Sequence, residues 1–224
     1  MNASMDQKLT LIFDLDGTLV DTAEDLAASL NAALQDAGMA SVDPSAVRSL
    51  VGFGARRMLR RGYELSAGRD ADATEIERGL TVFLDHYSDN IAVHSRPFDG
   101  ALAMIERARK GGAAAAICTN KREALARKLL ETLGIADIFD TIVGADTAVA
   151  AKPDPAPVLL CTERTGAERA VFFGDSDTDI KAAKAAGIPS MIARFGYGPV
   201  SDTESVHACF DTYEEAAQIL VRDF

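Results

Sequence analysis

Cysteine is scarce in this sequence: Cys118, Cys161 and Cys209 are far apart and odd in number. Such a set excludes a disulfide framework and a cysteine-based zinc site, so each reads as a small buried apolar residue. The three histidines, His86, His94 and His207, stand outside every motif and read as structural or surface residues. No apolar run approaches the roughly 20 residues of a membrane span. The opening MNASMDQK lacks the apolar stretch of a secretory signal, which makes the cytoplasm the expected location. Positive charge is also in short supply, with 23 Lys and Arg against 34 Asp and Glu, a formal net charge of -11. That balance argues against nucleic acid or an anionic membrane as partner, because both reward clustered basic residues. An anionic small molecule fits only where a metal and a few basic side chains make the local field positive.

What is present reads as an ordinary globular chain, 48% hydrophobic and 25% charged. Short apolar runs at 9–13, 113–118, 141–143, 170–173 and 190–193 each end in Gly, Asp, Thr or Asn and predict strands. Helical periodicity fills the intervals at 100–110, 123–133, 156–165 and 177–186, the alternation of a Rossmann-like doubly wound parallel sheet. Gly134 and Gly187 stand where helix C-caps belong. The alternation stops between Asp21 and Pro97, where 22–37, 44–62 and 74–90 all read as helix. We therefore expect an α/β core of residues 1–20 and 97–224, with residues 21–96 inserted after the first strand as an all-helical cap. The stretch HSRPFDG at 94–100 is the expected return linker.

In open α/β sheets ligands bind beyond the carboxyl ends of the strands. Collecting the polar residues at those ends gives Asp14 and Asp16 after the first strand and Thr119, Asn120 and Lys121 after the second. Lys152 follows the third, and Asp175, Asp177 and Asp179 follow the fourth. Asp14 and Asp16 share a face at period-2 spacing, and like charges so close call for a cation between them. An all-carboxylate donor set without His or Cys suits Mg²⁺. A carboxylate beside such an ion can act as a nucleophile, and a second one can move the leaving group's proton. Asp177 is assigned to capping the following helix, and capping explains Asn120 and Lys121 as well as ligand binding does. In the insert, VGFGARRM at 51–58 offers Gly54 for close backbone approach and Arg56 and Arg57 for a substrate carboxylate.

DLDGT at 14–18, Thr119, Lys152 with Pro153, and GDSDTD at 174–179 together resemble the four motifs of the haloacid dehalogenase-like hydrolase superfamily. The insert resembles that superfamily's helical cap of the first type. LVDTAEDLAASLNAAL and LVGFGARRML are similar to the phosphoglycolate phosphatase branch, which often has Asn at the position of Phe53. The resemblance implies that Asp14 attacks phosphorus and ligates Mg²⁺, and that Asp16 serves as acid and base while offering its backbone carbonyl to the metal. It further implies that Thr119 and Lys152 hold the phosphoryl oxygens, that Asp175 ligates Mg²⁺, and that Asp179 acts through a water or by orienting Lys152. Asn120, Gly54 and Arg56 join Thr119 and Lys152 as candidate substrate contacts.

The expected activity is hydrolysis of a small phosphomonoester, 2-phosphoglycolate first, through an aspartyl-phosphate, by a monomer or homodimer. Pyrophosphate or a sugar phosphate is the alternative substrate. A dehalogenase would lack a carboxylate at Asp16, a sugar phosphomutase would carry His where Leu26 stands, and a phosphonate hydrolase would need a cap lysine. From other classes, a receiver-like module would have to phosphorylate Asp146, and a silent metabolite-binding module would have no use for Asp14 and Asp16 together.

Overall fold

The computed structural model describes residues 8–52 and 54–224. Residues 1–7 of the amino-terminal stretch read for a signal, and Phe53, lie outside the described residues. The strands are β1 (Leu9–Phe13), β2 (Val20–Asp21), β3 (Arg96–Pro97), β4 (Ala114–Cys118), β5 (Thr141–Val143), β6 (Arg169–Gly174), β7 (Ser190–Ala193) and β8 (Ala208–Phe210). The helices are α1 (Ala23–Asp36), α2 (Ala55–Ala67), α3 (Ala73–Asp89), α4 (Ala101–Lys110), α5 (Glu123–Thr132), α6 (Ala156–Thr165), α7 (Asp177–Ala185) and α8 (Tyr213–Asp223). Six strands form one parallel sheet in the order β5-β4-β1-β6-β7-β8, with β1 between β4 and β6.

Alternation along the strands divides the core. Leu11 and Phe13 of β1 face the larger apolar cluster, while Ile12 joins Ala116, Phe172 and Ala182 on the opposite face of the sheet. Both faces are covered by helices, so β1 is apolar almost throughout. The strand order reverses at β1, between β4 and β6. A crevice at the carboxyl ends of these three strands is the place where loops of different origin meet.

The strands of the expected sheet all form, and two elements beyond them appear, β8 and α8. The short ribbon β2 and β3 was not expected either: it pairs Val20 with Pro97 and Asp21 with Arg96 in antiparallel register, where the helical insert leaves and rejoins the sheet. Gly134 and Gly187 take positive φ just after α5 and α7, as C-cap positions require.

One helix of the insert is displaced from its expected span. Residues 44–62 do not form one helix. Two 3₁₀ turns, Pro44–Ala46 and Arg48–Leu50, come first, and α2 starts only at Ala55. The cause is the backbone at Gly52 and Gly54, with φ of 91° and 88°, a conformation that cannot continue a right-handed helix. By contrast α3 starts where expected, because Asp72 and Glu75 form a reciprocal capping box.

Candidate active site

Asp14 begins the loop after β1. Its backbone N–H still donates to Phe173 of β6 at 2.8 Å, which extends the sheet ladder to the position of the carboxylate. The Asp14 side chain is buried, and its Oδ1 accepts from the Leu15 N–H at 2.7 Å. Lys152 reaches the same Oδ1 at 2.9 Å and Asp179 Oδ1 at 2.6 Å, so one buried ammonium bridges two buried carboxylates. Asp175 comes from the loop after β6. Its Oδ2 accepts from the Tyr197 and Gly198 N–H groups at 2.6 and 3.2 Å, and Thr18 Oγ1 donates to its Oδ1 at 3.3 Å.

Gly17, Gly196 and Gly198 explain how three loops approach so closely. A Cβ on Gly17 would lie 2.6 Å from Asp175 Oδ2, and one on Gly196 would lie 2.2 Å from Asp175 Cβ. Any side chain at either place would displace the Asp175 carboxylate.

Asp14, Asp175 and Asp179 present carboxylate oxygens within 4.8 Å of one another. Of these three buried acids, Lys152 pairs with Asp14 and Asp179 but not with Asp175. Burial first, then the nearby Asp179 and Asp175, pushes Asp14 up to about 8, although Lys152 pulls the other way. Burial and Asp179 likewise push Asp175 up to about 7, against the two backbone N–H donors. Burial disfavours the Lys152 ammonium, but Asp14 and Asp179 outweigh it and hold the lysine above its ordinary range. A buried site with surplus negative charge and only oxygen donors among its acids fits a hard divalent cation, and nothing in its donor set suits a softer metal.

Asp16 turns away from that cluster. Its Oδ1 accepts from Lys121 Nζ at 2.5 Å and from Thr22 Oγ1 at 2.7 Å. Thr119 is buried at the end of β4, with its Oγ1 accepting from the Lys121 N–H at 3.2 Å. Asn120 donates through Nδ2 to the Lys152 carbonyl at 3.1 Å, while its Oδ1 is buried with no hydrogen-bond partner among the described residues. Asp14, Asp16, Thr119, Asn120, Lys152, Asp175 and Asp179 are therefore brought to one end of the sheet.

A cavity of about 340 Å³ opens beside Asp16, between α1, α2 and α3 on one side and the loop after β4 on the other. Gly54 and Arg56 line it, as do Leu26, Phe83, Asn120 and Lys121. The Arg56 guanidinium is exposed and ion-paired with Glu77 of α3.

Two helix-capping assignments change. Asp177 does stand in the first turn of α7, where an acid suits the helix dipole, but it is not the N-cap residue. That residue is Ser176, in a capping box with Asp179, and the Asp177 carboxylate accepts from Ser201. Nor do Asn120 or Lys121 cap α5, where the first N–H, that of Glu123, donates to Asp146 at 2.8 Å. Lys121 instead reaches into the cavity to Asp16 and to the Tyr87 hydroxyl at 2.8 Å.

Sequence reasoning did not single out Tyr87, Tyr197 or Asp25. Tyr197 joins the site to the root of the insert, since its hydroxyl bonds Asp21 and accepts from the Thr22 N–H at 2.9 Å. The closely spaced glycines of FGYG at 195–198 were the available signal for it. Asp25, in the first turn of α1, accepts from the His94 and Ser95 N–H groups and from Ser95 Oγ at 2.6 to 3.1 Å, binding the return segment to the outgoing one. Nothing in its local sequence announces that.

Comparison with known proteins supplies an independent line. Residues 11–193 match the family model of haloacid dehalogenase-like hydrolases. A phosphoglycolate phosphatase of Mesorhizobium japonicum is 46% identical over 189 residues, covering 84% of this chain and 83% of that protein. One of Rhodospirillum rubrum is 40% identical over 210 residues, covering 91% and 87%. The crystal structure of a predicted phosphoglycolate phosphatase from Haemophilus somnus superposes with a TM-score of 0.88 at 28% identity, over 97% of this chain and 100% of that one.

Proposed function

The chain belongs to the haloacid dehalogenase-like hydrolase family and is a phosphatase, and from that premise we propose that its substrate is 2-phosphoglycolate, cleaved to glycolate and phosphate through an aspartyl-phosphate on Asp14. The observation that carries this reading is the Asp14 carboxylate: buried at the strand end, bridged by Lys152, and grouped with Asp175 and Asp179. The specific choice of phosphoglycolate comes from the relatives that bear that name.

Asp14, Asp175 and the backbone carbonyl of Asp16 would hold Mg²⁺, which when bound neutralises carboxylate and phosphoryl charge and orients the two for reaction. Asp14 attacks phosphorus as the phosphorus–ester oxygen bond breaks, and the departing oxygen takes a proton from Asp16. Water then attacks the phosphorus of the acyl phosphate, gives its proton to Asp16, and releases phosphate from Asp14. Lys152 and Thr119 offset the charge on the phosphoryl oxygens through both steps, and Asp179 keeps the Lys152 ammonium in line. The insert of residues 21–96 acts as a cap that excludes bulk water and opens on the β2 and β3 ribbon for release of product.

The test is phosphate release with and without Mg²⁺ from 2-phosphoglycolate, pyrophosphate, glucose phosphates, phosphoserine and a nucleotide. A preference for 2-phosphoglycolate of about 100-fold or more in kcat/KM, with loss of turnover on chelation, is expected. A flat or pyrophosphate-led profile refutes the substrate, and full turnover in chelator refutes the metal.

A further inference from the structure

Resting on the reading of the substrate as 2-phosphoglycolate, the structure raises a question that the phosphate-binding residues leave open: which groups read its carboxylate. The non-phosphoryl end must enter the cavity beside Asp16, whose walls are largely apolar. Arg56 lines this cavity too, but its side chain is 54% exposed and ion-paired with Glu77, so water and a carboxylate already satisfy it. Lys121 is also paired with a carboxylate, that of Asp16, but its side chain is only 6% exposed, so water does not take up its remaining donor.

An ammonium has three donors. Asp16 Oδ1 takes one at 2.5 Å and the Tyr87 hydroxyl a second at 2.8 Å, which leaves a third for a ligand. Tyr87 is itself buried, and the ammonium also sits 4.8 Å from the centre of its ring. Having accepted from Lys121, its hydroxyl keeps its own proton to donate, and that proton has no acceptor among the described residues. Burial, against the pull of Lys121, pushes this phenol up to about 12 and keeps it a donor at neutral pH.

We propose that Lys121 and Tyr87 form the subsite for the substrate carboxylate, one N–H and one O–H donated to an anion in a low-dielectric cavity. The pair is split across the two parts of the molecule. Lys121 belongs to the loop after β4, and Tyr87 to α3 of the insert. The subsite is complete only while the insert lies against the sheet, so recognition of the carboxylate and closure of the site become one event. Once Asp16 carries the proton it gives to the departing oxygen, the Lys121 ammonium loses its counter-charge. A single lysine supported by a neutral phenol then matches the single charge of a carboxylate. A second phosphoryl group would leave its further charge unmet.

The experiment compares kcat/KM for 2-phosphoglycolate and 2-hydroxyethyl phosphate, which share a two-carbon skeleton and differ in the carboxylate, in the full-length wild type, Lys121→Met and Tyr87→Phe. The expected wild-type ratio is about 100 or more, falling about 30-fold or more in Lys121→Met and roughly 3- to 10-fold in Tyr87→Phe. A high wild-type ratio that Lys121→Met retains overturns the subsite and leaves the substrate reading standing. A wild-type ratio near one overturns the substrate reading and the subsite with it. Should Lys121→Met lose both activities through its contact with Asp16, Tyr87→Phe decides, because it leaves that contact in place. An unchanged ratio there overturns the proposal, and a lowered one supports it.

Discussion

The carboxylate cluster around Asp14 and the cavity around Lys121 lie side by side, yet different kinds of contact hold them. In the cluster, Asp14 and Asp175 directly follow β1 and β6, Lys152 stands in the loop between β5 and α6, and Asp179 lies in the first turn of α7, while backbone N–H groups fix the carboxylates. In the cavity, the polar groups stand on long side chains that cross from the sheet to the inserted helices, and apolar residues supply most of the wall. In the function proposed above, the first arrangement, fixed through the backbone, serves the phosphoryl group common to many substrates. The second depends on where the insert sits, and so can select among what is attached to that phosphoryl group.

Substitutions in each region break this contrast in different ways. The largest effect belongs to the cluster: Asp14→Asn lowers phosphate release by about 10⁴-fold or more on every substrate, with the fold retained by circular dichroism. Residual turnover within tenfold of wild type would remove Asp14 from the role of nucleophile.

The same variant tests the electrostatics of the cluster. Folded Asp14 is pushed from 3.8 up to about 8, so across that window the folded state holds a proton that the unfolded state has lost. Wild-type stability is therefore lost progressively as pH rises through the window, and an Asn in this place pays no such penalty. In the presence of chelator, the thermal midpoint of Asp14→Asn should rise relative to wild type from pH 4 toward pH 8. A constant difference would show that burial and the neighbouring carboxylates do not strain the site.

Between the two regions, Asp25 ties the outgoing and returning segments of the insert by accepting from three donors, the two on Ser95 buried and the His94 N–H partly buried. Asp25→Ala leaves those donors unmatched and should cost roughly 2 to 4 kcal/mol in denaturant unfolding. A loss under about 0.5 kcal/mol would mean that water replaces the carboxylate at no cost. The smallest effect is at the cavity rim, where Arg56→Ala raises KM for 2-phosphoglycolate only about 2- to 5-fold, because its exposed guanidinium is already paired with Glu77. A rise as large as that expected for Lys121→Met would transfer the carboxylate contact from Lys121 to Arg56.

The two regions were unequally legible. Asp14 and Asp175 could be found because each follows an apolar run directly, and a strand end in a parallel sheet has one place to point. Lys152 could be found from its position after the third strand and before Pro153. The direction of Lys121 could not, since a residue two places beyond a strand can cap the next helix or reach sideways, and the Asp146 contact to Glu123 takes the capping role from it. Tyr87 sits in the apolar stripe of α3, where one more buried aromatic carries no mark of function. The start of α2 was misplaced because the periodicity of 44–62 carries through Gly52 and Gly54, whereas their positive φ interrupts the backbone.

Local sequence was sufficient for the alternation of strand and helix, the interruption by helices alone, and the acidic strand ends that define the chemistry. All of these depend on neighbours a few positions away, through side-chain period and backbone propensity. Only the tertiary structure decided that Lys121 meets Asp16 and Tyr87, that Tyr197 holds both Asp175 and the root of the insert, and that Asp25 secures a segment that returns after three helices. These contacts join residues far apart in the chain. Their partners are chosen by the packing of the inserted helices against the sheet, which no short stretch of sequence encodes.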